Sequence, residues 1–436
     1  MLLKIPAFLV PRFKEDINNF PRIRSFAFAV LFLWLVSPPM AQNQSIENKP
    51  LVKLTLVQEV DGLFVTSTDA TSEFIFEVFL LSGQRVYASE PSRAGLVKLP
   101  NAEGKPLADV QYLYIATSKV SPTALIRYFG RLTIQSGKAE MHDSSEVLSA
   151  YERHYFAQRN LSLEPDTKQE AIDAEFRLFQ AKANAAVEFF NLAVKLIPNS
   201  AEALLGQGFA IAATSGLSGS QMEEMMDPPT PPPPPPPAPH GNAGKQSTTP
   251  SPKARELKIN REGLLSAIDA FKQGILVSDC ESRSEAVLFL SAIYTKLNAM
   301  DQARDWRLKS VEMDCATAIT RAMAYYSLAV ENWQCANAIT ERYTDQKRSD
   351  PWHPRQITAP ADQEKLTTCL ARGLEYIEKA LFDEPDNHKA EFYKSMLYRE
   401  KQKTAKLKAE RLKYAGLAEK STQRTMEHFE RASKQQ

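Results

Sequence analysis

The spacing of apolar positions changes near residue 146, and this change divides the chain into two parts. Before it, apolar and polar residues alternate, as they do at 111–116, and this period of two predicts β-strands. After it, apolar residues recur three or four positions apart, as they do at 167–196, which predicts amphipathic helices. The chain is therefore predicted to have a mixed, mainly α fold with a small β part first.

The β part, residues 50–137, is predicted to be a small antiparallel β sandwich. Residues 74–81 are rich in β-branched and aromatic types and end at Ser82 and Gly83. Residues 85–88 follow after this short turn, so the two runs predict a hairpin. About six or seven short runs of this kind, separated by turn residues, are typical of a sandwich.

Four motifs in the β part resemble the immunoglobulin-like modules of bacterial surface and flagellar-hook-assembly proteins. They lie at residues 78–86, 102–108, 112–114 and 130–134. The resemblance implies a module that serves as a spacer or an adhesion surface rather than as a catalyst. No cysteine or tryptophan occurs between 50 and 137, so the disulfide and tryptophan of antibody domains are absent.

The helical part repeats, and Ala303 follows Ala267 after 36 positions. A helical hairpin of this length cannot bury its apolar face alone, so neighbouring hairpins are expected to stack into an array. Small residues such as Gly208 permit close approach of paired helices. The aromatic residues at helical spacing are expected to pack inside the array; they are Tyr294, Tyr325, Tyr326, Trp333, Tyr393 and Tyr398.

The repeat resembles the tetratricopeptide family, whose helix pairs carry small residues where helices touch, aromatic residues between, and a proline after the second helix. The matching residues are Ala186, Phe190, Ala193, Pro198 and Gly208; then Ala267, Phe271, Gly274, Leu290, Ser291 and Tyr294; then Ala303, Ser310 and 323–329; and then Gly373, Ile377, Ala380, Pro385, Ser395 and Tyr398. The resemblance implies an α-solenoid whose concave face binds a protein or peptide. Asp279 and Asp314 depart from the usual proline, and Arg307 from the usual aromatic.

Residues 1–41 are predicted to be a signal peptide. Arg22 and Arg24 precede the apolar run 26–36, and the small residue Ala41 follows it. This run is too short to cross a hydrocarbon core as a helix. We therefore expect export to the periplasm or beyond the cell, with an uncleaved membrane anchor as the alternative.

Residues 216–253 are predicted to be a proline-rich linker that separates the first helices, 146–215, from the main array, 254–436. Twelve of the 28 prolines lie between Pro228 and Pro252, and such a run favours extended polyproline II. The segment is either a semi-rigid linker or a docking peptide for an aromatic-lined groove. A second break is expected at 345–362, around Trp352 and His353.

Charge and motifs point away from several classes of function. The 53 basic and 52 acidic side chains nearly cancel, which argues against nucleic acid as a partner. The six histidines show no metal-binding spacing; they are His142, His154, His240, His353, His388 and His428. Residues 216–220 and 241–246 only approach a nucleophile elbow and a phosphate loop. The sequence therefore predicts no catalytic, cofactor-binding or metal-binding residue.

All four cysteines lie in the array, at Cys280, Cys315, Cys335 and Cys369. Two of the gaps, 35 and 34 positions, are close to the repeat period. Cys280 and Cys315 are expected at corresponding helix ends, and Cys335 and Cys369 near helix starts on the opposite edge. Export would permit Cys280–Cys315 and Cys335–Cys369 disulfides, and the alternative is four thiols packed between helices.

Residues 387–436 show a long helical pattern whose first part completes a repeat through Tyr398, and 386–436 hold 13 basic and 7 acidic residues. This helix is expected to cap the array, or to contact an anionic surface such as lipid headgroups. The whole chain is expected to be a non-enzymatic interaction or scaffold protein of the bacterial periplasm or cell surface. The alternative is a structural or adhesion protein that is attached to the envelope or cell wall through its β part.

Overall fold

The structure is a computed structural model, and it describes residues 54–59, 62–67, 73–92, 96–99, 108, 110–121, 124–136, 138–164, 167–218, 221–222, 255, 257–343 and 356–434. The predicted signal peptide, most of the proline-rich linker, and Trp352 with His353 lie outside these residues. The chain divides into two units. One is residues 50–426, and of the other the structure describes only the end of the last helix, 427–434.

Eight antiparallel strands form two sheets in the described residues. The strands are β1 Leu54–Glu59, β2 Gly62–Ser67, β3 Glu73–Leu80, β4 Arg85–Ala88, β5 Leu96–Leu99, β6 Gln111–Ser121, β7 Ala124–Gln135 and β8 Lys138–Asp143. The smaller sheet has the order β1-β2-β5 and the larger has the order β4-β3-β6-β7-β8. The predicted hairpin is β3–β4, and Gly83 makes its turn with a φ of 92°, a conformation that glycine adopts without strain.

The larger sheet buries side chains on both of its faces. Along β6, Tyr112 and Tyr114 share a core with Val65 and Val97 of the smaller sheet. The alternate residues of β6, Leu113 and Ile115, belong to a different core that contains residues of the first helices. Because successive strand residues point to opposite faces, β6 connects the two cores.

Ten helices follow in the described residues, so the fold is mixed and mainly α. They are α1 Ser144–Leu161, α2 Gln169–Leu196, α3 Ala201–Thr214, α4 Arg261–Val277, α5 Cys280–Lys296, α6 Met300–Glu312, α7 Ala318–Arg342, α8 Pro360–Asp383, α9 His388–Thr404 and α10 Lys408–Lys434. Six of them start at a side chain that accepts a backbone N–H of the first turn; these residues are Asp143, Ser200, Asn260, Asp279, Thr317 and Asn387.

Glycines set the contact between α3 and α4. A Cβ added at Gly208 would lie 2.8 Å from the Phe271 ring, and one added at Gly274 would lie 2.6 Å from Leu205. Since 205 meets 274 and 208 meets 271, the two helices run antiparallel. Gly208 therefore allows the close helix approach that the sequence predicts.

Residues on either side of the proline-rich linker are hydrogen-bonded to each other and to the first helices. The backbone N–H of Asn260 donates to Ser215 O at 2.9 Å. Arg255 donates to both carboxylate oxygens of Asp173 on α2, at 2.8 and 2.9 Å, and its backbone N–H donates to Gln158 of α1. The chain therefore leaves and rejoins the helices without separating α3 from α4.

Two expectations about helix boundaries are wrong, those for the cysteines and for the second break. Cys335 and Cys369 lie inside α7 and α8 rather than near helix starts, because 318–342 contains no glycine or proline and α7 continues to Arg342. Pro360 starts α8, so 360–362 belongs to a helix and not to the second break. The pattern at 387–436 forms two helices, because the chain turns at the buried residue Ala405.

Candidate functional site

A cleft of about 430 Å³ lies between α6, α7 and α8. Its lining includes Arg304 from α6, Glu331 and Asn332 from α7, and a longer series from α8. On α8, Lys365, Arg372 and Tyr376 matter most for its chemistry, and the disulfide partners Cys335 of α7 and Cys369 of α8 also line it. We call this cavity the cleft.

Two arginines of α6 hold one carboxylate of α7 at the cleft. Arg304 donates to Glu331 through Nε at 2.7 Å, and the buried Arg307 lies 3.3 Å from the other oxygen of Glu331. Arg307 also donates to Thr295 of α5 at 2.8 Å. Hydrogen bonding to Glu331 raises the pKa of Arg304, whereas burial lowers the pKa of Arg307. The carboxylate is thus fully engaged by the protein itself.

The α8 side of the cleft carries basic groups that have no such engagement. Lys365 and Arg372 are exposed and seven positions apart, so they lie on one face of the helix. Neither makes an ion pair or a side-chain hydrogen bond within the described residues. One acidic residue of α8, Glu364, also lines the cleft. The cleft therefore offers free ammonium and guanidinium groups, which suit a carboxylate ligand.

A disulfide joins the two helices that form most of the cleft. Cys335 of α7 pairs with Cys369 of α8, with their Cα atoms 6.2 Å apart. Cys280 pairs with Cys315, with a Cα separation of 5.8 Å, so no described cysteine is a free thiol. These are the two pairings that the sequence analysis names, with four packed thiols as the alternative. The Cys335–Cys369 bridge fixes the spacing of α7 and α8 beside the cleft.

One aromatic ring, that of Tyr376, lines the cleft. Tyr376 stacks on Tyr325 of α7, with ring centroids 6.1 Å apart and planes inclined by 23°. Lys379 lies 5.5 and 5.8 Å from the two ring centroids. Of the aromatics expected in the core, Tyr326 and Tyr393 are buried and pack edge to face. Tyr376 is a cleft residue that sequence reasoning missed.

Two of the histidines, His154 and His142, lie beside carboxylates. His154 lies 2.8 Å from Glu175, and His142 lies 3.0 Å from Glu146. Within the described residues, no group of three or more His, Cys, Asp or Glu side chains is placed to hold a metal ion. None of the ten described helices combines the length and apolarity that a membrane span requires.

Most of the cleft was not recognisable in the sequence. Lys365, Arg372 and Glu331 occupy solvated-looking positions on separate helices, and such positions are common on any helical array. The i,i+7 spacing of Lys365 and Arg372 is a signal that could have been found, but it does not identify the opposite wall. Arg307, which departs from the proposed repeat pattern, is buried and lies 3.3 Å from Glu331.

Comparison with known proteins adds no family assignment. No protein-family model matches the chain, and no curated protein is significantly similar to it in sequence. The resemblances to tetratricopeptide repeats and to immunoglobulin-like modules therefore stay predictions.

Proposed function

We propose that the protein is a non-enzymatic interaction or scaffold protein of the periplasm or cell surface, and that it binds a carboxylate-bearing protein segment in the cleft. The observation that carries the proposal is the pairing of free basic groups, Lys365 and Arg372, with a cleft whose two main helices are joined by a disulfide. A preorganised cleft loses little conformational entropy when a peptide binds.

The proposed architecture is a tetratricopeptide-like α-solenoid behind an immunoglobulin-like β sandwich. The antiparallel pairing of α3 with α4 supports it, and so does that of α7 with α8, where Arg321 binds Asp383 and Arg342 binds Asp362. Residues of both sheets share one core, which supports the sandwich. Stacked helical pairs commonly bind peptides and proteins.

The proposed compartment is supported by the cysteines. Disulfides persist in oxidising compartments and are rare in the cytosol of mesophiles. Both bridges lie in the helical part, and each spans close to one repeat period, 35 and 34 positions. Export through residues 1–41 would bring the chain to such a compartment.

The alternative is a structural or adhesion protein that is attached through its β part. Both faces of the larger sheet are buried, so attachment would depend on strand edges and loops. The cleft presents the exposed basic groups of Lys365 and Arg372 beside the Cys335–Cys369 disulfide, and for this reason we favour the interaction proposal.

The test is affinity capture from envelope extract with three forms of the whole mature chain. The forms are the wild type, Lys365→Glu with Arg372→Glu, and a control with Lys195→Glu and Lys296→Glu, which reverses two exposed lysines outside the cleft. We expect the wild type and the control to retain the same protein and the cleft variant to lose it. Equal retention by all three forms would refute binding in the cleft.

A further inference from the structure

We propose that the turn between α9 and α10 docks the protein on the surface of a bilayer that contains anionic lipid. This turn and its flanks, residues 399–413, are called the basic turn. It exposes two leucines, Leu407 at 63% and Leu412 at 64%. Leu407 precedes α10 and Leu412 lies in its second turn, so both project from the same end of the helix.

The charges of the basic turn are strongly unbalanced. Residues 399–413 contain seven basic and two acidic side chains. One of the acids, Glu400, is buried, accepts a hydrogen bond from Thr340 at 2.6 Å and pairs with Lys403 at 2.6 Å. Lys406 and Lys408, which flank Leu407, are exposed and have no ion pair in the described part of the chain.

The fold holds the basic turn in a fixed conformation. The guanidinium of Arg411 donates to the backbone oxygens of Ala405 at 3.1 Å and of Lys406 at 2.9 Å. Ala405 is buried, and Tyr398 of α9 stacks on Tyr414 of α10 with centroids 6.5 Å apart. The exposed leucines are therefore presented by an ordered turn that is anchored on both sides.

Basic residues in this place act against the local electrostatics of the helix. The N-terminus of α10 carries the positive end of the helix dipole, and its first turn holds Lys408 and Arg411 together with one acid, Glu410. The dipole and the excess positive charge both favour an external anion at this place. The phosphates of a lipid surface provide such anions along a plane.

The leucines decide between a bilayer and a free polyanion. Interfacial segments bury apolar side chains at the boundary of headgroups and acyl chains, while adjacent lysines and arginines contact anionic headgroups. A soluble polyanion would use the lysines and leave Leu407 and Leu412 in water. Bilayer docking is independent of the cleft, and it would hold the protein at the membrane while the cleft binds its partner.

The test is cosedimentation of the full mature chain with phosphatidylcholine vesicles that either contain or lack phosphatidylglycerol. We expect binding to the anionic vesicles, weakening with added salt, and little binding to the neutral ones. Leu407→Ser with Leu412→Ser should weaken vesicle binding by about tenfold or more, since the lost apolar contact contributes directly to the affinity. Lys406→Gln with Lys408→Gln should weaken it and reduce its salt dependence.

A matched control is Leu276→Ser, which removes a leucine that is 80% exposed at the end of α4. It should bind vesicles as the wild type does. Equal binding by the double leucine variant would overturn the proposal in favour of simple polyanion adsorption. A different result would also overturn the proposal: the wild type binds neither kind of vesicle, and the double leucine variant has a lower molar mass than the wild type in light scattering. The leucines would then contact a second copy of the chain. Circular dichroism of each variant checks that the fold is unchanged.

Discussion

At the scale of residues, Gly208 tests how tightly α3 packs on α4. A methyl group there would meet the Phe271 ring at 2.8 Å, a distance that requires the ring or the helix to shift. We expect Gly208→Ala to lower the free energy of unfolding by about 1–3 kcal/mol, as overpacked cores do. Denaturant unfolding measures the change.

The matched control for Gly208 is Gly416 of α10, where an added Cβ meets nothing within 4 Å. Gly416→Ala should leave the stability unchanged or raise it by up to about 1 kcal/mol, because alanine favours a helix more than glycine does. If the two alanine variants unfold at the same denaturant concentration, the contact of Gly208 with Phe271 is looser than the structure shows.

Glu331 is the second residue on which stability should depend. Its carboxylate compensates the buried guanidinium of Arg307, and an uncompensated buried charge is costly. We expect Glu331→Gln to destabilise the fold by about 3 kcal/mol. Glu364→Gln, at an exposed acid of the same cleft, should change the stability by less than about 0.5 kcal/mol in the same unfolding measurement. Equal midpoints for the two variants would contradict a structural role for Glu331.

Residue types alone predicted a close helix approach at Gly208, but they named neither its partner Phe271 nor the pairing of Arg307 with Glu331. Gly208 and Phe271 both fit a repeating pattern of small and aromatic positions, which indicates that they face other helices. Arg307 breaks that pattern, and its partner Glu331 lies on a different helix 24 positions later. A single charged residue does not specify which of many acids it will meet, because charged pairs have no periodic signal of their own.

At the scale of elements, the two disulfides close loops of nearly equal length, 35 and 34 positions. In the chain-entropy model each should stabilise the fold by about 3–4 kcal/mol. Replacing both cysteines of one pair by alanine should therefore lower the melting temperature about as much as replacing both cysteines of the other pair. Thermal melts of the two double variants measure this, and unchanged melts would indicate free thiols.

The two disulfides should contribute equally to stability but differently to partner binding. The Cys335–Cys369 bridge lines the cleft, whereas Cys280 and Cys315 are not among the cleft residues. Under the proposed function, Cys335→Ala with Cys369→Ala should weaken capture of the partner more than Cys280→Ala with Cys315→Ala does. Equal capture by the two double variants would show that the bridge does not organise the cleft.

Some helix boundaries cannot be predicted from the sequence pattern. The periodicity of 387–436 continues through Ala405, yet α9 ends there and α10 turns back, with Arg424 binding Glu391 at 3.1 Å. No glycine or proline marks the turn, so tertiary contacts decide it. In α7 the opposite holds, since no breaker ends the helix after Trp333 and it extends to Arg342. Where Pro360 and Asn387 supply local signals, helices begin at or directly after them.

At the scale of the whole unit formed by residues 50–426, the β part and the first helices share a core. Strand spacing predicted a self-contained sandwich, because alternation shows that one face of a strand is buried but does not say against what. In the structure Phe129 of β7 stacks on Phe189 of α2 with centroids 6.1 Å apart, and it meets Phe190 at 6.4 Å. The sheet is therefore part of the support of the helices.

This shared core predicts that a strand mutation will loosen helices. Phe129→Ala should cost about 3–5 kcal/mol and leave a cavity against α2. Hydrogen exchange followed by mass spectrometry should then show faster exchange in α1 and α2 as well as in β7, because their cores are continuous. Val110→Ala, at an exposed apolar residue beside β6, should change neither. If Phe129→Ala loosens only the strands, the helices are stable without the sheet, and the β part is a separate module as its sequence first indicates.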